Sequence, residues 1–249
     1  MSTHPTAATG FGSAADAYER GRPSYPDDAV AYLAAELGLG PAARVLDLAA
    51  GTGKLTRLLV EGGADAVAVE PVAAMRAILA EAVPGIPVLE GTAEAIPLTD
   101  GSVDAVTVAQ AFHWFDADAA LAEIHRVLRP GGGLALIWNA ADGGVEWVAV
   151  LRELVHAVRG SEPQYGRTPW RDAFASSRLF TPLTERTFDF VQELDEDGLV
   201  DRIASTSYVA ALPEAERQRL IGQVRTLAAG VPRPIRLPYR TDVFCCRRT

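Results

Sequence analysis

Two carboxylates, one loop of small residues and one histidine carry the chemistry legible in this 249-residue chain. Asp47 stands in the apolar run Val45-Leu46-Asp47-Leu48, which leads into Ala49-Ala50-Gly51-Thr52-Gly53. Small side chains there let backbone N–H groups approach a ligand closely. Lys54-Leu55-Thr56-Arg57-Leu58-Leu59-Val60 follows with helical spacing. The segment reads as strand, tight turn and helix start, the nucleotide-binding corner of an open α/β sheet. Glu70 closes a second apolar run, Ala66-Val67-Ala68-Val69, 23 residues after Asp47, where an acid takes ribose hydroxyls. A carboxylate at Asp47 repels a pyrophosphate and suits a cationic amine, and the G-x-G-x-x-G spacing of dinucleotide sites is absent. Each acid also has a plain structural reading, Asp47 as a helix cap and Glu70 as a solvated strand end. Together they ask for a ribose-bearing ligand with a cationic end and no pyrophosphate, a description that S-adenosyl-L-methionine fits.

His113 stands in Ala111-Phe112-His113-Trp114, just past a fourth apolar run and beside the expected reactive end of the ligand. An unperturbed imidazole pKa of about 6.5 suits proton removal, so His113 is the candidate general base. It also reads as a substrate-pocket residue, or as a side chain packed on Trp114 and bonded to a carbonyl. Trp114, Trp147, Trp170 and Tyr208, with Tyr25 at the opposite rim, are candidate substrate-binding aromatics or ordinary core residues. Tyr165 belongs with them. His125 and His156 are expected on helix surfaces. The basic run Arg233, Arg236, Arg240, Arg247 and Arg248 is expected to be mostly solvated, with one residue available to a substrate carboxylate. No Cys/His cluster has metal-ligand spacing, so no metal is expected.

The elements that must position these residues follow from periodicity. Pro26-Asp27-Asp28 opens a helix through Val30, Leu33 and Leu37 that Gly38 and Gly40 stop. Apolar strands at residues 44–48, 66–69, 87–90, 103–109 and 134–138 alternate with helices after Gly53, after Pro71 and from Asp116 to Pro130-Gly131-Gly132. That alternation means a parallel sheet covered on both faces. After Asn139 the rhythm changes: a helix over 145–160, an aromatic loop over 161–180, a strand near 184–191, helices over 195–229 and a last strand over 237–246. The expected fold class is α/β, a Rossmann-like doubly wound, mostly parallel seven-stranded sheet with a helical cap from the C-terminal third. The expected division is a loose lid segment over 1–25, a cofactor-binding core over 26–139, a cap and substrate region over 140–235, and a last strand and tail over 236–249.

Composition bounds the partners. Apolar residues make up 49% and charged residues 22%, which is globular. A net charge of −9 argues against non-specific binding to nucleic acid or acidic lipid. The two cysteines, Cys245 and Cys246, are adjacent and ill-suited to pair, the N-terminus lacks a signal-peptide pattern, and no run of about 18 apolar residues spans a membrane. A cytoplasmic protein acting on a small molecule is expected; oligomeric state is left open.

Val45-Leu46-Asp47-Leu48-Ala49-Ala50-Gly51-Thr52-Gly53 resembles motif I of the class I S-adenosyl-L-methionine-dependent methyltransferases. Val69-Glu70-Pro71 resembles the next motif, Gly91 to Pro97 with Asp100 to Asp104 the adenine-side motif, and Leu128-Arg129-Pro130-Gly131-Gly132-Gly133 the turn before strand five. Residues 18–26 and 111–115 are similar to a small-molecule subgroup that includes trans-aconitate-like methyltransferases. The resemblance implies that Asp47 and the loop with Ala49, Gly51 and Gly53 hold the methionine end. It also implies that Glu70 holds the ribose hydroxyls, Pro71, Ala93 and Glu94 the adenine side, and Gln110 the methionine moiety from below. Arg22 then pairs with the methionine carboxylate and Tyr18 closes over the cofactor. Two positions depart from the family: Ala49 replaces its first glycine and so is expected at negative φ, and Thr92 replaces an adenine-binding acid. The expected activity is methyl transfer to a small-molecule acceptor, at a carboxylate or hydroxyl oxygen, with S-adenosyl-L-homocysteine as product. The alternatives are an NAD(P)-dependent oxidoreductase on a similar sheet, and a cofactor-binding domain without methyl transfer.

Overall fold

Continuous apolar strands pair into one sheet whose two faces are both covered. A computed structural model describes residues 19–41, 43–159, 165–166 and 168–249. The strands are β1 (Arg44–Leu48), β2 (Asp65–Val69), β3 (Val88–Leu89), β4 (Val103–Ala109), β5 (Leu128–Ala141), β6 (Thr184–Leu194) and β7 (Ile235–Arg247). The helices are α1 (Asp27–Leu37), α2 (Lys54–Glu61), α3 (Ala73–Ala82), α4 (Ala117–Val127), α5 (Glu146–Ala157), α6 (Trp170–Ser176), α7 (Glu196–Ala204), α8 (Ser207–Ala210) and α9 (Glu214–Ala229). The seven strands run in the order β3-β2-β1-β4-β5-β7-β6. Strands β1 to β5 pair in parallel, and β7 lies antiparallel between β5 and β6. The chain therefore reverses direction across the sheet between β1 and β4, the place where ligands sit in such folds.

Side chains alternate between the faces with the strand period of two. Leu46, Leu48, Val106 and Val108 join α4 and α6 in one core, while Val45, Ala105 and Ala135 join α1 and α2 in the other. The neighbouring cysteines obey the same rule. Cys245 enters the α1/α2 core and Cys246 the α4/α6 core, so they point apart as buried free thiols. A third cluster holds the cap: Leu151 of α5, Leu199 and Ile203 of α7 and Val224 of α9 pack on Ile235, Leu237 and Tyr239. Because β7 is antiparallel and Tyr239 pairs with Ala141, Tyr239 lies at the C-terminal end of β5 and Leu237 and Ile235 lie beyond it. The cap thus sits at the ligand-binding edge of the sheet.

Boundaries differ from expectation at β5. Helix α4 ends at Val127, and the strand begins at Leu128 rather than Leu134. Pro130 forces the residue before it out of helical backbone, and the extended chain pairs Leu128 with Val103 before a register shift. Among the described residues no helix is long and apolar enough to cross a membrane.

Gly53, which precedes α2, has φ of 85°, and a Cβ there would lie 3.0 Å from Leu79 Cγ. Gly53→Ala combines a left-handed backbone with crowding against α3. It is expected to cost about 1–3 kcal/mol and to lower Tm by roughly 3–8 °C in thermal unfolding.

Candidate active site

Two non-glycine residues among those described have positive φ, Ala49 at 56° and Gln110 at 58°. They follow directly on β1 and β4, on either side of the reversal point. A left-handed L-residue costs about 1–2 kcal/mol and persists where its surroundings over-determine it. The expectation of negative φ at Ala49 is therefore corrected. The Ala50 N–H bonds to Val69 O at 3.2 Å, which turns the chain sharply toward β2 straight after β1. Alanine meets that turn with the smallest side chain short of glycine. At Gln110 the backbone N–H bonds to Ile137 O at 2.9 Å, and its amide nitrogen donates to Asn139 O at 3.3 Å.

Between these strained ends runs a narrow cleft of about 30 Å³. Ala49, Ala50, Gly51, Thr52 and Lys54 form one wall, and Gln110 and Asn139 another. Arg22, Pro23 and Tyr25, from a strap over residues 19–25, cover it. The strap is tied at both ends. The Glu19 carboxylate accepts from Thr52 Oγ1 at 2.7 Å and from Arg57 at 2.9 Å, and Arg20 bonds Asp201 of α7 at 2.8 Å. Asn139 Nδ2 donates to Ser24 O at 2.9 Å, and the Arg22 guanidinium donates to Ser205.

The two sequence-singled acids lie behind this wall. Asp47 is fully buried; Thr56 Oγ1 donates to its Oδ2 at 2.5 Å and Thr107 Oγ1 to its Oδ1 at 2.9 Å. Burial pushes its pKa up to about 6, against the pull of those hydroxyls. It faces a ligand only through the loop above it. Glu70, also buried, accepts the Gly51 and Val72 N–H groups, each at 2.9 Å, and burial raises its pKa as well. A pyrophosphate on this loop would face a buried carboxylate, whereas a sulfonium ligand with an ammonium end is matched by it. The residues fit the adenosyl sulfonium ligand and not a dinucleotide.

A cavity of about 400 Å³ adjoins the cleft, sharing Arg22, Gln110, Asn139 and Arg202 with it. His113, Trp114 and Tyr208 line it as expected of pocket residues. Arg152 and His156 line it too, from one face of α5, with Arg159 just past the end of that helix, and Trp138, Tyr165 and Tyr239 complete the aromatic wall. Among the described lining residues none is Asp or Glu. Arg202 is held by Tyr239, its Nε donating to the phenol oxygen at 2.7 Å. His113 Nδ1 accepts the Trp138 indole N–H at 3.3 Å. Burial, then the charge of Arg22, brings its pKa down to about 4. Its Nδ1 lone pair is thus engaged and burial makes it a weak base in this setting, both of which argue against the base role expected of His113.

Other expectations shift as well. Trp147 packs in the cap core and Trp170 in the aromatic cluster behind Trp138, where Phe112, Phe174 and Phe244 surround it; neither lines the cavity. Large apolar rings are worth more buried between helix and sheet than at a wet rim. Pro71, Ala93 and Glu94 lie outside the wall of the narrow cleft, and the Glu94 carboxylate accepts the Asp116 N–H at 3.1 Å. His156, expected at the surface, faces the cavity. The C-terminal arginines stay away from it: Arg233 and Arg236 pair with Glu196 and Glu193, and Arg247 and Arg248 bond backbone carbonyls. Tyr18 lies outside the described residues. Sequence reasoning missed Arg152, Arg159, Arg202 and Trp138. The spacing of Arg152, His156 and Arg159, beside Leu151 and Val155, was the available signal, since it places two arginines and a histidine along one face of the helix expected over 145–160.

The chain is similar to known methyltransferases in sequence and fold. The methyltransferase domain family matches residues 46–136. An uncharacterized methyltransferase of Mycobacterium tuberculosis is 45% identical over 248 residues, covering 96% of this chain and 95% of its own. The malonyl acyl-carrier protein O-methyltransferase of Methylococcus capsulatus is 38% identical over 162 residues, covering 53% of this chain and 56% of its own. In fold, the chain is similar to a solved structure from Anaeromyxobacter dehalogenans described as a candidate type II methyltransferase, with a TM-score of 0.68, 24% identity, and coverage of 91% and 97%. The full-length relationship, the sheet order and the loop with its two buried acids converge: the chain belongs to the class I S-adenosyl-L-methionine-dependent methyltransferases.

Proposed function

We propose that this methyltransferase acts on a small anionic acceptor and methylates a carboxylate oxygen. S-adenosyl-L-methionine, when bound, supplies an electrophilic methyl group on a sulfonium sulfur. The loop from Ala49 to Gly53 and Asp47 beneath it hold the methionine end, with Arg22 for its carboxylate and Gln110 below. Glu70 takes the ribose hydroxyls, and Pro71, Ala93 and Glu94 flank the adenine.

The observation that carries the acceptor reading is the charge of the cavity. The chain as a whole has 32 acidic and 23 basic residues, yet the described wall of the 400 Å³ cavity holds four arginines, two histidines and no carboxylate. Cations gathered against the net charge of the molecule attract and orient an anion. The volume suits a small molecule. The name of the Methylococcus relative, an O-methyltransferase, and the similarity of residues 18–26 and 111–115 to trans-aconitate-like methyltransferases point the same way. The site orients the acceptor and excludes water; a carboxylate needs no base.

Arg202 lies on the wall shared by cleft and cavity, and its terminal amino groups have no acceptor among the described residues. Losing a charged hydrogen bond costs about 1.5–3 kcal/mol, so Arg202→Met is expected to lower kcat/KM for an acid acceptor by roughly 10- to 100-fold. The measurement is methyl-label incorporation into a panel of small acids and their neutral amides. Amides methylated as fast as the matching acids would remove the carboxylate reading.

A further inference from the structure

We propose that Trp138 is a positioning residue that holds His113 as a hydrogen-bond donor to the methyl acceptor, so that the enzyme methylates an oxygen arriving already ionised and passes over hydroxyls. The inference rests on the carboxylate reading above and adds the device that enforces it.

An indole N–H donates and cannot accept. The imidazole nitrogen facing it, Nδ1 of His113 at 3.3 Å, must therefore present its lone pair. A neutral imidazole has one N–H, which is then at Nε2. No described residue accepts that proton, and His113 lines the cavity. The site thus offers the acceptor a donor in place of a base.

Trp138 is placed to impose this choice. It is 1% exposed on β5, stacked on Tyr165 at 4.5 Å between centroids and packed on Trp170 at 4.9 Å. Tyr165 is anchored in turn, its hydroxyl donating to Asp242 Oδ2 at 3.0 Å. Moving the proton to Nδ1 would set N–H against N–H, turning the ring over would set Cδ2–H there, and either change would orphan a buried donor. Protonating it would add a charge among Arg22, Arg152, Arg159 and Arg202. The remaining titratable groups of the wall do not replace it. Burial raises the pKa of both Tyr165 and Tyr208, which keeps them protonated, the Tyr239 hydroxyl accepts from Arg202 and donates to Gln192, and His156 on α5 is absent from the wall shared with the cofactor cleft.

The reaction balances without a proton. An acceptor carboxylate oxygen forms the new bond to the methyl carbon, the carbon–sulfur bond breaks with its electron pair on sulfur, and a neutral ester and thioether result. A hydroxyl acceptor would have to release a proton that His113, so held, has no lone pair to take.

The test reads the tautomer directly, by nitrogen NMR of histidine-labelled full-length protein with and without S-adenosyl-L-homocysteine. The expected result is a proton on Nε2 of His113 from pH 6 to 9, and a mixed tautomer in Trp138→Phe, which keeps the ring stack and removes the donor. With S-adenosyl-L-methionine and a panel of acids and alcohols of matched skeleton, label is expected in the acids. Trp138→Phe is expected to lower kcat for the best acid about tenfold with little change in S-adenosyl-L-homocysteine affinity. His113→Gln, which retains an N–H donor, is expected to recover most of the activity that His113→Ala loses. A proton on Nδ1 in the wild type, or a Trp138→Phe protein with unchanged tautomer and kcat, overturns the proposal. So does methylation of alcohols as fast as acids. If no acid is methylated, the carboxylate reading fails, and the positioning role is still decided by the tautomer. Should Trp138→Phe not melt cooperatively, the wild-type tautomer and the His113→Gln comparison decide.

Discussion

Glu70→Ala is expected to weaken S-adenosyl-L-homocysteine binding at least 100-fold. Glu70 directly follows β2 beside the loop, and its two oxygens accept the Gly51 and Val72 N–H groups at 2.9 Å. Truncation acts twice. It removes the carboxylate that the family resemblance assigns to the ribose hydroxyls, two charge-assisted bonds of about 1.5–3 kcal/mol each. It also strips an acceptor from Gly51 N–H, loosening the loop that must hold the methionine end. Glu70→Gln keeps one acceptor oxygen and the side-chain volume, so its loss should fall between wild type and Glu70→Ala. Calorimetric titration of the three proteins checks this, with thermal unfolding to confirm that each is folded. A loss below fivefold in Glu70→Ala would take Glu70 out of the cofactor site.

Asp47→Asn is expected to make the protein more stable at neutral pH and a poorer cofactor binder. The Asp47 pKa rises from 3.8 to about 6 because the carboxyl is fully buried. An acid whose folded pKa is raised holds its proton in the native state while the unfolded chain has released it. Stability from this group is therefore full below pH 3.8, falls as pH rises through the window to about 6, and is flat above. The ionised group costs about 3 kcal/mol at neutral pH relative to its protonated form. Asparagine keeps both threonine contacts, accepting from one hydroxyl and donating to the other, and carries no charge. The expected gain at pH 8 is roughly 6–12 °C in Tm, shrinking to nothing near pH 4. The same change removes the negative charge beneath the loop, and S-adenosyl-L-homocysteine affinity is expected to fall about tenfold. Comparing Tm against pH for the two proteins isolates Asp47 from the other carboxylates. A lower Tm for the variant at pH 8 would contradict the argument.

The cofactor corner was legible because its parts are close in the chain. Asp47, the small-residue loop and Glu70 lie within 24 consecutive residues, and strand, turn and helix periods are local properties. The conformation of Ala49 was not, since the turn that forces φ to 56° is set by a hydrogen bond from Ala50 to Val69 on the neighbouring strand. Trp147 and Trp170 could be read either as pocket aromatics or as core residues, because nothing local shows which way a helix or an aromatic loop faces. Arg152 and Arg159 escaped notice because a charged residue on a helix most often faces water, and nothing within α5 shows that a cavity lies beside it.

The fold class, the identity of the methyl donor and the absence of a dinucleotide loop could all be read from residue order, because each depends on neighbours a few positions apart. The cavity beside the cleft could not. Its wall draws on Arg22, His113, Trp138, Arg159, Arg202 and Tyr239, which span more than 200 positions and meet only when the strap, β5, α5, α7 and β7 pack at one edge of the sheet. The protonation site of His113 depends on a tryptophan 25 residues away. Charge and hydrogen bonding between such distant groups are properties of distance in space, and packing sets that distance.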